Sequence, residues 1–208
     1  MKKLSLTATA LSAILLFSGC ASYNAAPMTP MLTSATSNQE ITIVAKKFDE
    51  QDCKKFLDRD TIRKGYQPVQ LFIQNSTDKN YFFSLDRVGL AHANPSDVAR
   101  QVHTSTAGRI VGYSVGGLFV WPLLIPAVLD GIKSSDANAS LDRDFLDKGA
   151  TDQIISAHSY FNKLIFVPGN DCPNTFSLTL VDAASNEAKA FVVLLDGNKL
   201  NMLNAPQH

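Results

Sequence analysis

The stretch VQLFIQNSTDKNYFFSL, residues 69–85, decides the fold class of this chain. Apolar side chains recur at every second position on both sides of a polar segment, at Val69, Leu71, Ile73, Tyr81, Phe83 and Leu85. A period of two is that of a β-strand with one buried face, because successive side chains point to opposite sides. The polar residues 75–80 favour a turn. We therefore predict two strands that form a hairpin with one face in water.

Similar short apolar runs lie on both sides of this hairpin. Residues 40–48, EITIVAKKF, predict a first strand at a sheet edge. After residue 150 further runs follow, separated by turn-forming residues: DQIISAHS, YFNKLIFVP, TFSLTLVD and KAFVVLLDG. About seven short strands with short turns indicate a mainly β fold, an antiparallel β-sandwich of the immunoglobulin type. The run from Ile154 to FSLTL looks like the closing half of the immunoglobulin-like modules of bacterial envelope lipoproteins.

A long segment, residues 94–149, separates the two groups of strands and is too long for a structureless loop. Asn94 can cap a helix, Pro95 suits the first helical position, and Asp97 adds a negative charge to the first turn. We therefore predict a helical insertion whose first helix runs to about Trp121.

Two prolines lie in the second half of this insertion. Pro122 and Pro126 remove backbone donors, so we predict that they divide the apolar run into two pieces, the second ending near Gly131. A further helix, residues 135–148, would place its apolar side chains on one face and end at Gly149.

The most apolar part of the insertion is GRIVGYSVGGLFVWPLLIPAVLDG, residues 108–131. Its first three glycines are spaced four apart, which aligns them on one face of a helix and requires close packing there. A single membrane crossing would separate the strands before residue 94 from those after 150, so we expect no crossing. Burial in the protein, contact with a membrane and self-association remain open. The candidate contact residues are Gly108, Gly112, Gly116, Trp121 and Pro122.

The chain begins with an export signal. Lys2 and Lys3 precede an apolar run, residues 4–17, which ends at Phe17-Ser18-Gly19-Cys20. This ending resembles the lipobox of bacterial lipoproteins. The resemblance implies that residues 1–19 are a signal peptide and that Cys20 is lipidated on sulfur and becomes the new N-terminus. Ala21 after the cysteine looks like an outer-membrane address, with the protein facing the periplasm.

Residues 20–39 form the predicted lipidated N-terminus and tether. Residues 21–39 contain no charged side chain and are rich in Ala, Ser, Thr, Asn and Pro, which is typical of a flexible linker. As a coil they would hold the folded part on the order of 25 Å from the membrane. The predicted domain is therefore 40–208, a sandwich with the helical insertion 94–149.

Two further cysteines, Cys53 and Cys172, remain after the anchor. In an oxidising compartment an even pair suggests one disulfide, which would close a long loop and restrict the unfolded chain. Two buried thiols without a bond are the alternative. The spacing excludes a Cys-x-x-Cys redox motif.

The sequence gives little support for a catalytic, metal, cofactor or nucleic-acid site. The net charge of zero at pH 7 shows no preference for nucleic acid, and the four histidines share no ligand spacing, so we expect neither a nucleic-acid partner nor a metal site. Phosphate-binding loops are absent from the sequence, and we expect no cofactor. Ser114 in Gly-Tyr-Ser-Val-Gly matches a nucleophile elbow, but it lies inside a glycine-spaced helix rather than after a strand.

Together these features predict a lipid-anchored envelope protein that is not an enzyme and acts as a structural or interaction module. Its expected partners are the membrane, through Cys20, and another envelope protein. One alternative is a membrane-active or self-assembling protein that uses residues 108–131. The other alternative is a hydrolase that uses Ser114.

Overall fold

The computed structural model describes residues 22–31, 40–103, 124–169 and 172–195, with side chains in the third range from residue 135 onward. The chain divides into two compact units, and the one that contains both β-sheets comprises Asn24–His103 and Leu141–His208. The contacts discussed below all lie within this unit.

The fold is mainly β, with seven strands in two antiparallel sheets, as the sequence predicted. The strands are β1 (Ile41–Lys47), β2 (Tyr66–Asn75), β3 (Tyr81–Phe83), β4 (Gln153–Ile155), β5 (Tyr160–Pro168), β6 (Thr175–Asp182) and β7 (Ala188–Leu194). The three-stranded sheet has the order β1-β2-β5, and the four-stranded sheet has the order β4-β3-β6-β7. The first strand lies at a sheet edge, as expected.

Three α-helices accompany the strands. They are α1 (Glu50–Leu57), α2 (Pro95–Gln101) and α3 (Leu124–Lys148), and a short 3₁₀ turn spans Leu85–Arg87. Asp49 caps α1, because its carboxylate accepts from the Asp52 amide at 2.8 Å. In turn, the Asp52 carboxylate accepts from the Asp49 amide.

The two sheets bury their inner faces against each other. Alternate residues of β1, β2 and β5 meet alternate residues of β3, β6 and β7 in one apolar cluster. The rings of Phe83 and Phe161 touch across it, with 4.4 Å between their centroids. This cluster is the core between the two sheets of the β-sandwich.

The immunoglobulin type of the sandwich stays a prediction. In a constant-type immunoglobulin domain the fourth strand pairs within the sheet of the first two strands. Here β4 pairs with β3 in the four-stranded sheet, where Phe82 lies opposite Ile154.

The predicted hairpin of residues 69–85 is wrong, because β2 and β3 belong to different sheets. The polar segment between them crosses from one sheet to the other. Asn75 holds this crossing, since its buried side-chain amide donates to the carbonyls of Lys79 at 2.7 Å and Ser156 at 2.8 Å. Alternation in the sequence therefore identified both strands but not their partners.

The prediction that one face of β2 is exposed to water is also wrong. Gln70 and Phe72, on the side away from the sandwich interior, are only 4% and 3% exposed. The last turns of α3 cover this outer face of the three-stranded sheet: the ring of Phe145 stacks on Phe166 of β5, with 5.4 Å between centroids and 2° between planes. The three-stranded sheet is thus buried on both faces.

Residues 24–31, called here the N-terminal segment, are packed on the domain and are not a free tether. The Asn24 amide donates to Asp58 at 3.1 Å, and the Ala26 amide donates to the Lys55 carbonyl at 2.8 Å. Further along, the Thr29 carbonyl accepts from the Gln70 side chain at 3.0 Å. The domain therefore begins near residue 24 rather than at residue 40.

The insertion begins as predicted. The Asn94 side chain accepts from the Ser96 amide at 2.9 Å and caps α2, with Pro95 at its first position. The helix does not run to Trp121, however, because α2 ends at Gln101.

The second half of the insertion is a single helix where it is described. The predicted end near Gly131 is wrong, because α3 continues from Leu124 to Lys148. Pro126 lies in its first turn, where the missing amide hydrogen would have no helical partner anyway. The predicted end before Gly149 is confirmed. A side chain at Gly149 would clash with Pro95, since a Cβ there would lie 2.3 Å from its ring, so the ends of the insertion lie close together.

Candidate functional site

The outer face of the four-stranded sheet differs from that of the three-stranded sheet in having a row of exposed apolar side chains. Inward residues of β6 and β7, such as Phe176, Leu178, Phe191 and Val193, are buried, so every second residue points outward. The outward residues are Thr175, Ser177, Thr179 and Val181 on β6, and Ala188, Ala190, Val192 and Leu194 on β7. On β3 and β4 they are Phe82 and Ile154. We call this set the bare face.

The bare face combines exposed apolar side chains with an absence of charge. Ile154 is 58% exposed, Val192 39%, and Phe82 and Leu194 37% each. In the register of the sheet, Phe82 lies between Ile154 on one side and Val181 on the other. None of the outward residues of these strands is charged. An exposed, uncharged and partly apolar surface of this kind is typical of a protein contact.

A charged pair, Lys79 with Asp182, lies at one end of this sheet. Asp182 is 2% exposed and accepts from the Lys79 ammonium at 2.8 Å and from the amides of Ala184 and Ser185. The Lys79 hydrogen bond and these backbone bonds hold the pKa of the Asp182 carboxyl well below its ordinary value. The carboxylate therefore stays ionised while it fixes the turn between β6 and β7.

A second cluster joins the N-terminal segment to two helices. The Lys148 side chain is 8% exposed, and its ammonium donates to the carbonyl of Phe56 at 2.6 Å, to that of Ala26 at 2.9 Å and to Asp144 at 2.6 Å. Phe56 lies in the last turn of α1, where free carbonyls favour a cation. Lys148 therefore fastens the N-terminal segment, α1 and α3 together.

Two of the described histidines pair with carboxylates on other segments of the chain. His103, just after α2, lies 2.7 Å from the Asp142 carboxylate on α3, and His158 lies 2.8 Å from Asp78. Within the described residues, histidine, cysteine, aspartate and glutamate form no group able to hold a metal ion. Each pair joins two segments that are distant in sequence.

The predicted disulfide between Cys53 and Cys172 is not present. Cys53 is a free, fully buried thiol on α1, and its sulfur lies 3.5 Å from the Thr61 hydroxyl. Cys172 lies in the β5–β6 connection and packs against the sandwich core, and its carbonyl accepts from the Lys47 ammonium at 3.0 Å. Burial raises the pKa of the Cys53 thiol to about 11, so it is a poor nucleophile at neutral pH.

The other residues singled out in the sequence lie outside the described residues. They are Cys20, Gly108, Gly112, Ser114, Gly116, Trp121 and Pro122. The predictions for these positions stay predictions. Where helices are described, none is long and apolar enough to cross a bilayer.

Sequence reasoning missed the bare face, although one signal for it was present. Assigning Tyr81 and Phe83 to the buried side places Phe82 on the opposite side, and the same alternation makes Ile154 an outward neighbour of Ile155. Large apolar residues at outward positions of two strands indicate either a covering layer or a contact surface. Only the structure shows that Phe82 and Ile154 are direct neighbours.

Comparison of the chain with protein-family models, with curated proteins and with solved structures finds no match. The functional argument therefore rests on the residues themselves.

Proposed function

We propose that this chain is a lipid-anchored envelope protein that acts without catalysis and binds another envelope protein through the bare face. The anchor would be Cys20, and the location would be the outer membrane, facing the periplasm. The bare face is the observation that carries the proposal, because it leaves Phe82, Ile154, Val192 and Leu194 in water on a sheet whose inner side is fully packed.

The chemistry of the bare face specifies the kind of partner. A charged partner surface would lose water around its charges and find no opposite charge among the outward residues of these strands. An uncharged partner surface with apolar side chains would bury Ile154 and Phe82 at no such cost. We therefore infer an uncharged, partly apolar surface on a second protein. The hydroxyls of the exposed Thr175 and Ser177 and of the half-buried Thr179 can form hydrogen bonds within such a contact.

The proposed contact predicts that a charge on the bare face breaks a complex. In membrane extracts made with a mild detergent, the wild-type chain should migrate in native electrophoresis as a complex larger than one copy. Ile154→Asp should shift it to the size of the single chain, because an unpaired carboxylate would be buried in the contact. Leu146→Asp is the matched control, since Leu146 on α3 is 50% exposed and lies away from this sheet, and it should leave the complex intact.

Two results would contradict the proposal. One is a complex that persists in Ile154→Asp when circular dichroism shows that the variant is folded. The other is a complex that contains two copies of this chain and no other protein. The membrane-active use of residues 108–131 and the hydrolase use of Ser114 concern residues outside the described part of the chain, and no described observation favours them.

A further inference from the structure

Helix α1 separates its charges along its length. Its first turn is acidic, with Glu50 and Asp52, and its last turn is basic, with Lys54 and Lys55. This order complements the helix dipole. Both lysines are exposed, so they form a basic surface in addition to their effect on the helix.

The turn after α1 adds two more exposed basic residues to the same region. Arg63 and Lys64 follow Thr61, whose hydroxyl contacts the Cys53 sulfur at 3.5 Å. This contact holds the start of the turn against α1 at Cys53, the residue before Lys54. Residues 53–64 carry five basic and two acidic side chains, and Arg63 is still 80% exposed although it pairs with Asp60. We call Lys54, Lys55, Arg63 and Lys64 the basic end.

The N-terminal segment leaves the domain at the basic end. Asn24 donates its amide to Asp58, directly after α1, and Ala26 donates to the carbonyl of Lys55. Only three residues lie between Cys20 and Asn24. Their fully extended length limits the distance between these two residues to about 14 Å.

We propose that the basic end lies against the anionic phospholipid headgroups of the bilayer that holds the acyl chains of Cys20. This inference rests on the proposed lipid anchor. Lysine and arginine within a Debye length of an anionic bilayer, about 8 Å at physiological salt, are attracted to it. The short link holds Asn24 within about 14 Å of Cys20, so the basic end can reach that range. A basic patch beside a lipid group is also a known way to strengthen anchoring.

This placement also agrees with the use of the bare face. Lys148 joins α1, which carries Lys54 and Lys55, to α3, which covers the outer side of the three-stranded sheet. The bare face lies on the opposite side of the sandwich. A domain resting on its basic end therefore leaves the bare face open to a partner.

The test is lysine footprinting of the full-length, naturally processed protein in lipid nanodiscs. One set of discs contains phosphatidylcholine alone, and the other also contains phosphatidylglycerol. We expect Lys54, Lys55 and Lys64 to be acetylated at least about threefold more slowly in the anionic discs, and high salt should remove this difference. The control is Lys79, whose side chain is 53% exposed and which should react equally in both sets.

Charge-reversal variants show whether the basic end is responsible. Lys54→Glu combined with Lys55→Glu should remove the slowing at Lys64. Arg87→Glu combined with Arg143→Glu reverses two exposed charges elsewhere and should keep it. Equal slowing in discs of phosphatidylcholine alone would overturn the inference, because the contact would then not depend on anionic headgroups.

The intact mass of the same sample separates this inference from the anchor itself. Acyl groups on Cys20 with unchanged reactivity of the basic end would overturn the inference and leave the anchor standing. A processed or unprocessed chain without acyl groups would overturn the anchor, and the inference with it. We expect an intact mass that shows acyl groups on Cys20, together with slower acetylation of the basic-end lysines in anionic discs.

Discussion

Replacing Phe166 by alanine is expected to lower the free energy of unfolding by about 3–5 kcal/mol. Phe166 is 1% exposed on β5, and its ring stacks on that of Phe145 on the outer side of the three-stranded sheet. The substitution would leave a cavity between the sheet and α3, which the rigid strand backbone cannot close. Urea titration followed by circular dichroism would measure the change.

Tyr160→Ala is the matched control for this prediction. Tyr160 lies on the same strand and the same face, but it is 58% exposed, and its ring is 5.8 Å from that of Phe72. We expect its loss to cost less than about 1 kcal/mol. Similar small effects for both variants would show that α3 does not cover the three-stranded sheet.

The second large effect is expected at Lys148. Lys148→Met keeps most of the side-chain volume but removes an ammonium that donates to Ala26, Phe56 and Asp144. Two backbone carbonyls would lose their donor in a largely buried place, and we expect a loss of about 3 kcal/mol in the free energy of unfolding. Amide hydrogen exchange in residues 24–31 should also become faster, because the N-terminal segment would lose a contact that holds it.

Lys163→Met provides the comparison, since Lys163 also donates to a backbone carbonyl, that of Asp147, but at an exposed position. Its effect should stay within about 0.5 kcal/mol. If Lys148→Met is equally mild and exchange in residues 24–31 is unchanged, Lys148 does not fasten the N-terminal segment.

Local patterns located the strands of this fold and the start of its helical insertion. The alternation of Val69, Leu71 and Ile73 located β2, and Asn94 with Pro95 located the start of α2. These features depend on residues that are close in sequence, and the physical rules for strands and helix caps are local.

Long-range contacts are what the sequence did not reveal. Gln70 and Phe72 have the spacing of an exposed face, yet they are buried because α3 and the N-terminal segment supply a second layer. The N-terminal segment has the composition of a linker, but Lys148, 122 residues away, bonds to its backbone. Periodicity cannot report a contact whose partner lies so far along the chain.

The candidate site was missed for the same reason. Phe82 and Ile154 are 72 residues apart, and only the pairing of β3 with β4 makes them neighbours. The sequence instead drew attention to residues 108–131, which lie largely outside the described residues.

The central claim is that the bare face contacts another envelope protein, and photo-crosslinking in living cells tests it most directly. A photoreactive phenylalanine analogue would replace Phe82 or Ile154, with Leu146 as the control position. We expect adducts of one mass from both positions, containing the same envelope protein, and no such adduct from Leu146. Adding Val192→Asp should abolish both adducts. The absence of adducts from Phe82 and Ile154, or the same adduct from Leu146, would contradict the claim.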